Sequence, residues 1–244
     1  MTTRAADPRA GEEVGREELA AVRQAAERIL APLFGSIRAG FPAADDAAVT
    51  AVRTALAESG LADVALPLPV RVEVALVAGG AGSGLGASVL ELGEDPGDLL
   101  RAALAVGCGR AVLRLGLAYA QQREAFGRPL AGFQVQRHAF ARAAAHLMAA
   151  GALIRRAVES GNELDCAAAL PTACQACWEA AETALQVHGG YGYSDEFPIS
   201  RLWLDAARLR ASVPAECAGA GGGHRRGVGL SAPAGGRADR SPAQ

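Results

Sequence analysis

Three stretches of this sequence carry residue types whose spacing suits chemistry. The first is the polar, glycine-marked run Arg123-Glu-Ala-Phe126-Gly127-Arg-Pro129-Leu130-Ala-Gly-Phe133-Gln134. The second is Gln186-Val187-His188-Gly189-Gly190-Tyr-Gly192-Tyr193, followed by Leu202-x-x-Asp205-Ala206. Both runs are polar, glycine-marked and flanked by long helices, which sets them apart as places where chemistry could sit. Taken singly, each run also reads as an inter-helix turn, with Gly127 and Pro129 turning the chain or Gly189 and Gly190 closing a helix. The third stretch is Gly82-Ser-Gly84-Leu-Gly86-Ala87, which matches the glycine pattern of a dinucleotide-binding turn. That pattern needs a long helix after it and an acidic residue about 20 positions on. Gly93 and Pro96 interrupt any such helix, so a flexible hairpin loop is the better reading.

Cys174-Gln-Ala-Cys177 has the spacing of a redox or zinc motif. It falls in helical register with Leu170, Ala181 and Leu185, and no second cysteine or histidine pair stands nearby to complete four ligands. Two small thiols on a buried helix face are expected, and no metal site. The five cysteines form an odd count, which suits reduced thiols. No lysine occurs among the 24 basic residues, which excludes Schiff-base chemistry and a phosphate-loop lysine. A net charge of −2 gives no electrostatic case for nucleic acid. Neither a membrane span nor a signal peptide is evident, so a cytoplasmic protein is expected.

The elements that must position these runs are mostly helical. Residues 1–15 read as a flexible tail, and residues 16–67 as a helical region with helices near Glu17–Leu33 and Asp45–Ser59. Residues 68–95 are expected to be a reduced β segment rich in glycine: Val70–Val77 alternates like a strand, with Ser88–Leu92 as a return strand. Residues 96–212 hold four helical stretches with short connections, which predicts an antiparallel bundle. The first runs Leu99–Gln122. The second carries Phe140, Ala143, Leu147, Ala150, Ile154 and Val158 at steps of three and four. The third spans Glu163–Val187 and the fourth Pro198–Arg210. Residues 213–244 are rich in glycine, proline and arginine and are expected to be disordered.

The two polar runs, in this order and with a helical hairpin between them, resemble the C-terminal domain of the acyl-CoA dehydrogenase family over about residues 96–210. The fold implied is mainly α, a four-helix bundle. The cofactor implied is flavin adenine dinucleotide (FAD), held partly by the bundle of a neighbouring subunit. Arg123 would meet its pyrophosphate, Phe126 and Gln134 its adenine end, and the Gln186, Val187, His188, Gly189 and Gly190 corner its adenosine diphosphate. The reaction implied is α,β-dehydrogenation of an acyl-CoA thioester, with hydride passing to the flavin and electrons then to an electron-transfer flavoprotein or similar acceptor.

The sequence departs from that family at three places. Where the family carries its glutamate base, ungapped counting reaches Val213-Pro214, with Glu216 three residues on; at the alternative base position stands Gly97, with Asp98 beside it. Glu216 and Asp98 are the candidate catalytic carboxylates, and Asp98 also suits a helix start. Only residues 68–98 lie where the family has a β domain, and Trp178 and Trp203 both fall in bundle helices, away from any flavin-contacting segment. The stretch after Val213 lacks the family's closing helix. Three readings therefore stand: a flavin-dependent acyl-CoA dehydrogenase, an inactive subunit that completes the FAD site of a heteromeric acyl-CoA dehydrogenase, or a remnant that folds as a helical bundle and binds nothing. The resemblance implies a homo- or hetero-oligomer with another acyl-CoA dehydrogenase subunit.

Overall fold

The computed structural model describes residues 14–38, 46–63, 65–82 and 97–213. Three helices, α1 (Arg16–Arg38), α2 (Asp46–Glu58) and α3 (Leu68–Ala78), precede the bundle. The bundle consists of α4 (Asp98–Gln122), α5 (Gln134–Ser160), α6 (Glu163–His188) and α7 (Pro198–Ala211). A two-stranded ribbon, β1 (Glu124–Ala125) and β2 (Arg128–Pro129), joins α4 to α5. The mainly helical fold and its four-helix bundle are thus those expected. The first 13 residues, the Gly84–Ala87 part of the glycine run, the Ser88–Leu92 return strand and the segment after Val213 lie outside the described residues.

One expectation is overturned. Residues Val70–Val77 form a helix, not a strand, and none of the described part of 68–95 is β structure. Pro67 is the N-cap and Pro69 sits in the first turn, where a missing N–H costs nothing, so the prolines start this helix instead of breaking one. The helix is buried almost all round: Val70, Val72, Val74, Ala75 and Leu76 are in the core, and Glu73 is 2% exposed. A helix buried on every side shows no helical period, and the accidental alternation Val-Arg-Val-Glu-Val then imitates a strand. The charge of Glu73 is met by Arg23 of α1, whose Nε and Nη2 donate to Oε2 at 2.9 and 2.8 Å.

Glycines set how closely α4 is approached. A Cβ on Gly107 would lie 2.2 Å from the carbonyl oxygen of Leu76, and one on Gly79 would lie 2.2 Å from that of Leu104. The backbones of α3 and α4 therefore meet directly at this crossing. Gly109 and Gly116, two turns apart, do the same against α6, where their Cβ atoms would come within 3.0 Å of Cys177 Cα and 2.8 Å of Ala184 Cα. Leu104, Val106, Leu147, Ile154, Leu170 and Ile199 fill the core around this seam. The length and hydropathy of α4 would allow a membrane span, yet 61% of that window is buried inside the bundle. Gly161, at φ +59°, ends α5, and the side chain of Asn162 accepts from the N–H groups of Leu164 and Asp165 to start α6.

Candidate functional site

The chain leaves α4 through Arg123, whose N–H still donates to the Tyr119 carbonyl at 2.8 Å while its own carbonyl accepts from Leu130 N–H at 2.8 Å. These bonds fix the base of a two-residue hairpin in which Ala125 faces Arg128 across the turn Phe126-Gly127. Both turn residues have positive φ, +53° for Phe126 and +74° for Gly127. That combination matches the twist of a tight hairpin, but a phenylalanine there is strained by about 1 kcal/mol or more. The strained side chain is 97% exposed. Its ring meets Phe133 edge-on at 6.4 Å, and Arg128 lies 4.0 Å over the Phe133 ring, so a small aromatic and cationic platform holds it outward. Arg123 and Gln134 are exposed on either side, and no ion pair engages Arg123 among the described residues.

The second run arrives at the same end of the molecule. Val187 is buried with Ala120 of α4 and Phe140 of α5, and Leu130 and Ala131 pack on that cluster. His188 is buried too: its ring stacks on Tyr119 at 4.0 Å and meets Phe197 edge-on at 6.0 Å. Its Nδ1 lies 2.7 Å from the Ala184 carbonyl, which can only accept, so the proton sits on Nδ1. Burial holds the imidazole below its ordinary pKa, although the bond to Ala184 works the other way. Gly189 then turns the chain at φ +58°, ψ −139°, and a Cβ at Gly190 would meet nothing within 4 Å. Gln186, Gly189 and Gly190 are exposed, while Val187 and His188 point their side chains inward. Any contact of those two with a ligand at this corner is through backbone.

The expected binding residues therefore converge, and the carboxylates do not join them. Asp98 opens α4 and stands 24 residues, about 36 Å of helix, from the Arg123 end. Gly97 is the N-cap, and Asp98 in the first turn pairs with Arg101 at 3.5 Å. Arg101 also donates to the carbonyl and hydroxyl of Ser212 at 3.1 and 2.8 Å. No single small ligand reaches both Asp98 and the hairpin of one chain. Glu216 lies outside the described residues. Asp205 of the Leu-x-x-Asp-Ala run points from α7 toward Cys108 of α4, 3.9 Å away. Cys174 and Cys177 are both buried, and burial pushes the Cys174 thiol up to about 12. No group of three metal-ligating side chains occurs among the described residues.

Sequence reading missed Arg110 and Arg114, which face a cleft of about 870 Å³ between α1, α3 and α4. The available signal was a pair of arginines one turn apart in the otherwise apolar stretch 102–118 of α4.

The described residues thus form a four-helix bundle that carries an exposed aromatic and cationic hairpin and an open glycine corner at one end. Residues 95–212 match the family described as acyl-CoA dehydrogenase, C-terminal domain, a little under half of the chain. Over 115 residues the chain is 38% identical to the 3-sulfinopropanoyl-CoA desulfinase of Paraburkholderia xenovorans, covering 46% of this chain and 30% of that protein. It is 34% identical over 114 residues to the glutaryl-CoA dehydrogenase of Desulfococcus multivorans, covering 44% and 29%. The solved complex of glutaryl-coenzyme A dehydrogenase with glutaryl-CoA aligns at 32% identity and a TM-score of 0.45, over 51% of this chain and 33% of that one. Over residues 95–212 this bundle is similar to the C-terminal domain of acyl-CoA dehydrogenases. The chain spans about 30% of the length of these two curated relatives.

Proposed function

We propose that this chain supplies the helical edge of a FAD site in an acyl-CoA dehydrogenase assembly, facing the flavin held by a neighbouring subunit. The observation that carries this reading is Phe126: a strained, 97%-exposed ring beside an arginine with no ion pair among the described residues and an open glycine corner. An isolated domain gains nothing by holding an aromatic ring in water at a positive φ. The residues suit the cofactor. The Arg123 guanidinium fits a pyrophosphate, the Phe126 ring fits the face of an adenine, and the open side of Gly190 admits a close backbone contact. When bound, FAD would supply the two-electron acceptor for removal of hydrogen from the α and β carbons of an acyl-CoA thioester.

In this assembly Arg123, Phe126, Gln134 and the Gln186–Gly190 corner bind and orient the dinucleotide. The stack of buried His188 with half-buried Tyr119 and Phe197 backs the corner behind them. Residues 79–97, between α3 and α4, leave no room for a closed β domain, so the cover over the flavin ring comes from elsewhere in the assembly. Asp98, exposed and paired with Arg101, is ill-placed as a base toward this edge, and the partner subunit supplies that carboxylate. An electron-transfer flavoprotein would then take the electrons. The relatives named above act on CoA thioesters according to their names, which supports a thioester substrate without choosing the acyl group. The test is flavin retention: Arg123→Ala should weaken it by roughly 1.5–3 kcal/mol, the contribution of a charged hydrogen bond. Unchanged occupancy in that variant would remove Arg123 from the site.

A further inference from the structure

The cleft that receives Arg110 and Arg114 has the build of a second binding site. Gly107, Arg110, Arg114, Leu115, Ala118 and Gln122 step along one face of α4, a groove about 22 Å long. One wall is apolar, from Leu76 and Val77 of α3 to Phe197 and Ile199, and one end closes on the stacked Tyr119 and His188 rings. A volume of about 870 Å³ falls within the range of small-molecule sites, roughly 300–1,000 Å³.

Its charge is one-sided. Arg110 and Arg114 lie one turn apart, Arg23 lines the same cleft, and Arg155 adds a further positive charge close to Arg110. The facing carboxylates are Glu27, on the lining, and Glu73, which Arg23 already binds in a two-pronged contact. The Arg110 guanidinium, half-buried, has no hydrogen-bond or ion-pair partner among the described residues. Burial holds it below the usual arginine value, and repulsion from Arg155, Arg23 and Arg114 outweighs the attraction of Glu73. Room for it is made by Gly151 of α5, where a Cβ would stand 3.1 Å from Arg110 Nη2. An arginine held against its neighbours, in a space a glycine keeps open, costs the folded chain stability and returns it only when an anion arrives.

We propose that this cleft binds an anionic amphiphile, with a carboxylate or phosphate head between Arg110 and Arg114 and an apolar chain along Leu115, Ala118 and Phe197. Two planar guanidiniums suit either oxyanion, and the groove beyond them suits a hydrocarbon. The proposal concerns the chain without flavin and does not rest on the reading of the hairpin edge.

Calorimetric titration of the full chain tests it, using decanoate, decyl phosphate and decyl maltoside, each below its critical micelle concentration, and inorganic phosphate. At least one decyl anion should bind ten times or more tightly than both the neutral decyl maltoside and inorganic phosphate, and the tighter anion identifies the head group. Arg110→Met and Arg114→Met should each weaken that binding roughly 10- to 100-fold. A structural arginine would lower the melting temperature when removed; Arg110→Met should keep or raise it. Equal binding of decyl maltoside and the anions, no binding of either anion, or unchanged affinity in both variants would overturn the proposal.

Discussion

Replacing Gly107 by alanine sets two effects of opposite sign against each other, and the structure decides between them. By helix propensity alone, glycine to alanine inside α4 should stabilise by about 1 kcal/mol. The new methyl, however, would stand 2.2 Å from the Leu76 carbonyl oxygen and about 3 Å from the backbone of Gly79. An ordinary carbon-to-oxygen contact is roughly 3.3–3.6 Å, so α3 and α4 must separate by about 1 Å. The obstacle is backbone on both sides, and no rotamer change relieves it. A gap of that size forfeits a quarter to a half of each contact across the crossing, and forced separations of this kind cost about 1–3 kcal/mol. Larger losses follow if Leu76, Val72 and Leu104, all buried here, repack poorly. Net destabilisation of about 2 kcal/mol is expected, a fall of roughly 4–8 °C in melting temperature for a domain of this size. Thermal unfolding followed by circular dichroism reads this directly. Gly190→Ala serves as the control, since its methyl meets nothing within 4 Å. A Gly107→Ala variant as stable as the parent, or more so, would show that α3 does not pack on α4 as a helix.

Three further outcomes are expected. His188 is held neutral below its ordinary value of 6.5, so the unfolded chain takes up its proton first as pH falls. Stability from this group is complete above about pH 6.5 and declines below it, and His188→Gln should flatten that part of a pH-dependent melting curve. Phe126→Asn, a residue that tolerates positive φ, should raise stability by about 1 kcal/mol while weakening flavin retention, and a loss of both would contradict the strained-platform reading. With its thiol pushed up to about 12 by burial, Cys174 should resist iodoacetamide at pH 8 in the folded chain and react once the chain is unfolded. Fast labelling of the native protein at that cysteine would count against the packing of α6.

The bundle was legible because its signals are redundant: apolar residues at three and four, Gly161-Asn162 between α5 and α6, and Pro198 in the first turn of α7. The hairpin and glycine corner were legible as a motif pair, but their meeting rests on Val187, Phe140 and Ala120 packing together, which is tertiary information. Helix α3 resembles a strand in sequence because burial on every side erases its period, and the Pro67 and Pro69 helix start becomes distinctive only with the close approach of Gly79 and Gly107. Arg110 drew no notice because an arginine in a helix usually reaches water, and its poor surroundings come from α1, α3 and α5. Separation also could not be read: Asp98 and Arg123 bracket one helix in sequence and stand about 36 Å apart in space.

The most direct test of the flavin-edge account is the visible absorbance of the purified chain, scored as flavin per protomer, alone and after co-expression with an acyl-CoA dehydrogenase subunit. The account predicts a colourless chain that turns yellow in the complex and loses colour again in Arg123→Ala. Stoichiometric flavin on the chain alone, or a complex whose flavin content ignores Arg123 and Phe126, would contradict it.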